Sequence, residues 1–201
     1  MKKTAIIAKL TVILVLAACF FSCNPIENDT RSATVLVVES LQGTDMDDNE
    51  ANYVQSDVLF EDIEAGTSTI YADIATAALS SRALDPSPVA GTSQYMDVTI
   101  TRYVVSYARS DGNNTQGVDV PYSFEGYLSE TIPIGTSKEF SFVIVREVAK
   151  MEQPLVSLRE GRDKGVLEVT AKVEFFGHDM AERSVKATGY ISIFFANYAN
   201  E

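Results

Sequence analysis

The chain has 201 residues, with 28 acidic against 16 basic side chains, a net charge of −12, two cysteines, one histidine and no tryptophan. A surface this acidic repels phosphate backbones, so no nucleic-acid partner is expected. Both cysteines precede residue 24, which excludes a disulfide framework, a cysteine-based zinc site and a cysteine nucleophile from whatever folds after them.

The first element is an address. Lys2, Lys3 and Lys9 stand before residues 10–18, nine residues of Leu, Val, Ile, Ala and one Thr that end in Ala17-Ala18. This is the tripartite layout of a secretion signal. As a helix the stretch is ~14 Å long, well short of a ~30 Å hydrocarbon core. Leu16-Ala17-Ala18-Cys19 resembles the lipobox of bacterial lipoproteins, each of its four positions filled by a favoured residue type. The resemblance implies cleavage before Cys19, a thioether-linked diacylglyceryl group on its sulfur and an acylated amino terminus. Phe20-Phe21-Ser22-Cys23 offers a poorer second match, because Phe stands three positions before the cysteine; ordinary secretion and an uncleaved anchor are the other readings. Several acyl chains on one cysteine make attachment effectively permanent, where a single chain binds only marginally. The expected organisation is a signal peptide over 1–18, a lipidated flexible tether over 19–32 and one β-domain over 33–201, which together place the protein in the bacterial cell envelope, anchored at the outer membrane.

Residues 20–32 are mostly polar and, as a coil, reach on the order of 20 Å. Without the signal, 13 basic residues face 28 acidic ones, a net charge of −15. About 170 residues then remain, enough for one domain that buries roughly 70% of its unfolded surface.

From residue 33 onward β-branched and aromatic residues recur at period two, punctuated by Gly, Asn, Asp and Pro clusters, which predicts seven or eight strands. The first covers 34–41 and the second 53–61, on either side of the acidic loop 45–50. Residues 68–80 read as a strand with Ile70, Ala72, Ile74 and Ala78 on one face, although the alanine-rich 74–79 also suits a helix. Residues 96–109 contain a phase change: Met96, Val98 and Ile100 share one parity, Tyr103, Val105 and Tyr107 the other. One extra residue near Thr101-Arg102, a β-bulge, would bring both sets onto one face. A strand over 118–131 includes Pro121, which predicts an edge or an irregular start. Residues 138–148 are apolar on both faces and read as a central strand. Residues 167–175 and 185–195 alternate apolar and polar on either side of a turn, the pattern of an antiparallel hairpin with one wet face.

With no other convincing helix, the economical architecture is all-β, a single antiparallel sandwich. Tyr103-Val104-Val105-Ser106-Tyr107, Asp111-Gly112, Gly117-Val118-Asp119-Val120-Pro121 and the ending Gly189-Tyr190-Ile191-Ser192-Ile193-Phe194-Phe195-Ala196-Asn197-Tyr198 resemble uncharacterised bacterial secreted or lipid-anchored proteins with an immunoglobulin-like sandwich. The resemblance implies the fold and carries neither an activity nor functional residues.

Chemistry-bearing motifs are sparse. His178 sits in a predicted turn, where a solvated residue is the ordinary expectation, and neither G-x-S-x-G, H-E-x-x-H nor a P-loop occurs. Asp45, Asp47 and Asn49 match alternate ligands of a calcium loop, but Glu50 stands where the turn glycine belongs and Ser56 where the closing glutamate belongs. A solvated loop of Asp45, Asp47, Asp48 and Glu50 is therefore expected, with a looser ion site as the alternative. Tyr95, Tyr103, Tyr107, Tyr122 and Tyr127 offer an aromatic platform or, more ordinarily, core and cross-strand packing. Catalytic, metal and cofactor residues are expected to be none, and Cys19 is the one assigned site. The function this predicts is a non-catalytic, lipid-anchored binding or scaffolding domain, with the membrane and an envelope protein as partners. The alternative is a carbohydrate or small-ligand module, assisted by calcium.

Overall fold

Turn chemistry and period-two burial divide the chain into strands from Thr34 onward. The structure is a computed structural model that describes residues 32–198, apart from 63, 90 and 161–163. The expected signal peptide, Cys19, Cys23 and the tether up to Arg31 lie outside the described residues.

Eleven strands occur among the described residues: β1 (Thr34–Thr44), β2 (Glu50–Ala51), β3 (Tyr53–Asp57), β4 (Phe60–Asp62), β5 (Thr67–Thr69), β6 (Asp73–Ala83), β7 (Val98–Ala108), β8 (Phe124–Ile132), β9 (Ser137–Val145), β10 (Leu167–Asp179) and β11 (Ser184–Ala196). Two one-turn helices, α1 (Glu147–Lys150) and α2 (Leu155–Leu158), follow β9. A 3-10 turn, Gln94–Met96, precedes β7. The strands form a four-stranded sheet in the order β2-β1-β6-β9, a five-stranded sheet in the order β3-β11-β10-β7-β8 and the small ribbon β4-β5. The protein is therefore all-β, as expected, with more strands than the seven or eight read from the sequence. The excess comes from short pieces: β2, β4 and β5 are two or three residues long, below what periodicity resolves. One pairing departs from an antiparallel plan. β3 lies parallel to β11, with Val54 opposite Ile193 and Ser56 opposite Phe195.

One apolar core draws side chains from both large sheets. β7 and β10 contribute Val98, Ile100, Tyr103, Val105, Val169, Ala171, Val173 and Phe175, and the facing sheet contributes Leu36, Leu41, Ala75, Ala77, Leu79, Phe140 and Phe142. Tyr103 of β7 meets Phe142 of β9 edge-on at 5.1 Å between ring centroids, and Phe175 of β10 meets Phe140 at 5.7 Å. The Tyr107 phenol crosses between the sheets and donates to the Ile144 carbonyl at 2.7 Å. Burial pushes its pKa up.

The phase change in β7 is a bulge. Phe176 of β10 faces Arg102 while the next residue, Gly177, faces Ile100, so Thr101 is the extra residue and points outward. Val98, Ile100, Tyr103, Val105 and Tyr107 all face the core in consequence. The β10–β11 hairpin pairs Val169 with Ile193 and Phe175 with Ala187, with Lys172, Glu174 and Lys186 together on the outer face. There Arg102 lies over the Phe176 ring, 4.1 Å from its centroid.

Four sequence expectations need correction. β6 is a strand, but its inner face is Ala75, Ala77 and Leu79, while Ile74 points out. Ala75 and Ala77 stand opposite Phe142 and Phe140; small residues face inward because the large rings beside them fill the space. β9 ends at Val145 and lies at a sheet edge, because the chain leaves it for α1 and α2, whose Ala149 and Leu155 join the core from the end. β8 starts at Phe124, and the preceding residues through Pro121 form a loop closed by an isolated bridge between Gln116 and Val120. The second strand breaks after Asp57, its later part forming β4.

Candidate functional site

The end of the fold formed by the close of β1, the close of β3 and the start of β6 is concave. A groove of about 730 Å³ lies there, lined by the 44–48 loop, Gln55, Asp57, Phe60, residues 71–74 and Lys150. Its rim is the acidic loop. The Asp45 carboxylate accepts the backbone N–H groups of Asp47 and Asn49, both at 2.9 Å, and the Asn49 side-chain amide at 3.1 Å. These bonds, the Asn49 side chain first, hold the Asp45 carboxyl below the usual range. The loop's shape thus rests on Asp45 itself, which closes the chain on its own backbone as aspartate does in turns. Met46 N–H donates to Gln55 Oε1 at 3.1 Å and ties the rim to β3.

Opposite the loop, Phe60 of β4 and Tyr71 meet edge-on at 5.8 Å and make an apolar lip, both rings exposed. The floor is ionic. Lys150, at the end of α1, is 1% exposed, and its ammonium donates to Asp73 Oδ1 at 2.7 Å and to the Asp57 carbonyl at 2.8 Å. Ser56, fully buried on β3, donates its hydroxyl to the other Asp73 oxygen at 2.5 Å. Burial pushes the Asp73 carboxyl up, against the pull of Lys150 and Ser56. Desolvating this many charges is costly unless each is paired and hydrogen-bonded. Here both Asp73 oxygens are taken, so Ser56, Asp73 and Lys150 spend their polar groups on one another and brace three segments into a rigid floor. The lining carries five aspartates, Asp45, Asp47, Asp48, Asp57 and Asp73, against the single Lys150.

Of the site residues singled out from sequence, only Asp45, Asp47 and Asp48 of the acidic loop line this groove; Glu50 does not. His178 is not in the expected turn but within β10, near its end and paired with Thr99 and Ser184, its Nδ1 3.1 Å from the Asp179 carbonyl and 4.0 Å from Glu182. It lines neither this groove nor the shallower hollow of about 370 Å³ beside Arg109, Leu158 and Leu167. Tyr103 and Tyr107 are core residues, and Tyr95, Tyr122 and Tyr127 are exposed in a 3-10 turn, a loop and β8 respectively, so the five share no platform. Among the described residues no group of three or more His, Cys, Asp or Glu is placed to hold a metal ion. No helix among them is long and apolar enough to cross a membrane.

Sequence reasoning missed Lys150, Asp73 and Asp179. Asp179 is buried, and its carboxylate accepts Ala181 N–H and Arg183 N–H, both at 2.9 Å, and the Ser32 hydroxyl at 2.7 Å. Burial pushes this carboxyl up, but those bonds together outweigh it and hold it below the usual range. Asp179 thereby clasps the β10–β11 turn to the start of the domain. The signal for Asp73 was an acid at the head of an otherwise apolar strand; for Lys150 it was a lysine directly after the apolar pair Val148-Ala149. No protein-family model matches this chain, and neither does any curated protein.

Proposed function

We propose that this chain is a lipid-anchored protein of the bacterial cell envelope, held at the outer membrane through Cys19, with a non-catalytic, immunoglobulin-like sandwich that binds a small ligand in the Asp73–Lys150 groove. The lipobox-like Leu16-Ala17-Ala18-Cys19 supports the anchor. Two large sheets packed over one core support the sandwich.

The observation that carries the binding reading is the groove itself: a concavity of about 730 Å³ with an aromatic lip, an acidic rim and a braced ionic floor. That volume is in the range of small-molecule sites, which pair apolar walls with a few fixed polar groups. Carboxylates that accept hydroxyl hydrogens, beside rings that stack on C–H faces, suit a carbohydrate or another hydroxyl-rich ligand. Ser56 is sealed and committed to Asp73, which favours binding over nucleophilic chemistry at this floor.

Thermal unfolding against a panel of neutral and amino sugars tests the reading. A hit should raise the melting point in a saturable way, following RT ln(1 + [L]/Kd), and Tyr71→Ala should abolish that rise while leaving the unliganded protein near its original stability, because Tyr71 is exposed. A panel without a saturable hit, or a hit indifferent to Tyr71→Ala, leaves a scaffold in contact with an envelope protein as the better account.

A further inference from the structure

The end of the fold remote from the groove is where the chain arrives. Ser32 hydrogen-bonds Asp179, and the Thr34 hydroxyl donates to the Met96 carbonyl at 2.8 Å. Leu84 N–H donates to the Ala33 carbonyl at 2.8 Å, and Met180 N–H to the Asp97 carbonyl at 3.1 Å. Four separate segments are thus stitched into one surface around Ser32. On it Leu84, Tyr95 and Met180 are each more than half exposed, and Val89, in the loop that joins β6 to the 3-10 turn at this end, is wholly so. Aliphatic tips with a tyrosine among them are what a surface resting at the headgroup level of a bilayer presents.

We propose that this surface rests on a phospholipid bilayer, with Leu84, Val89, Tyr95 and Met180 dipping into the headgroup region, so that the groove faces away from the membrane. The proposal builds on the reading that Cys19 is acylated. Tether length favours the Ser32 end. Twelve residues, the number between Cys19 and Ser32, would reach on the order of 20 Å if they behaved as a coil. β1 runs from this end to the groove over 11 residues, about 36 Å at the rise of a strand. On this proposal the Ser32 end lies within one tether length of the lipid, and the groove stands a further strand length away. Tethering makes each contact intramolecular, so four weak insertions suffice where none would bind from solution.

The absence of tryptophan allows a clean test. The full chain, purified with its lipid from bacterial membranes, is reconstituted into phosphatidylcholine vesicles whose acyl chains are brominated near the headgroup. Three single-tryptophan forms are compared: Val89→Trp, Tyr95→Trp and, at the groove, Tyr71→Trp. All three should float with the vesicles. Emission of Val89→Trp and Tyr95→Trp should be quenched and shifted to the blue, Tyr71→Trp should be unchanged, and adding Val89→Asp to Tyr95→Trp should remove most of its quenching. Flotation with no quenching at positions 89 and 95, or with equal quenching at 71, overturns the proposed orientation and leaves the anchor standing. Failure to float overturns the anchor and this proposal with it.

Discussion

Among the described residues Lys150 is the least exposed charge, and its carboxylate partner is Asp73. Removing the ammonium leaves Asp73 desolvated and uncompensated, so Lys150→Met should cost about 3–5 kcal/mol in chemical unfolding at neutral pH. Replacing both partners with apolar residues, Lys150→Met with Asp73→Leu, should recover much of that loss, because the pair itself only offsets its own desolvation. The pH dependence follows from the direction of the Asp73 shift. Its folded-state pKa lies above the unfolded one, so its ionisation lowers stability as pH rises from the unfolded pKa, about 3.9, through the folded one. Without Lys150 that interval extends upward. The deficit of Lys150→Met should therefore be greatest at neutral pH and shrink as the solution is acidified toward about pH 4. A deficit below about 1 kcal/mol that does not vary with pH would mean that the pair is solvated, as surface ion pairs are.

At the scale of elements, what was legible followed from alternation. The β10–β11 hairpin and the β7 bulge could be read because apolar residues recur at every second position on either side of them, and an inserted residue shows as a change of that parity. Gly177 shows what the bulge requires. A Cβ there would lie 2.2 Å from the Thr99 carbonyl oxygen and 2.9 Å from Ile100 Cα, both backbone atoms that cannot rotate away. Gly177→Ala should cost about 1–3 kcal/mol, the usual range for overpacking, read as a lower urea midpoint with an unchanged slope; wild-type stability in that variant would contradict the register at the bulge. The inner face of β6 was not legible, because Ala75 and Ala77 look less apolar than Ile70 and Ile74. Their burial is set by Phe140 and Phe142 across the strand pair, information that a single strand's pattern does not contain. The same holds for the groove. Asp73 and Lys150 are 77 residues apart in sequence, and only the turn from β9 into α1 brings them together.

At the scale of the molecule, composition and the first nineteen residues set expectations about partners and location, while the fold is what the structure bears on. The all-β class was legible from the recurrence of short alternating runs, whereas the parallel β3–β11 pairing was not, since pairing partners are a property of topology. The account as a whole turns on Cys19: a binding groove held a strand length beyond a membrane requires the lipid. Its most direct test is metabolic labelling with an alkyne fatty acid in a bacterial host, followed by detergent partitioning of the wild-type chain, Cys19→Ala and Cys23→Ala. The account predicts that wild type and Cys23→Ala carry the label and enter the detergent phase, while Cys19→Ala loses the label and moves to the aqueous phase. Labelling that survives in Cys19→Ala, or an unlabelled wild-type chain, would contradict it.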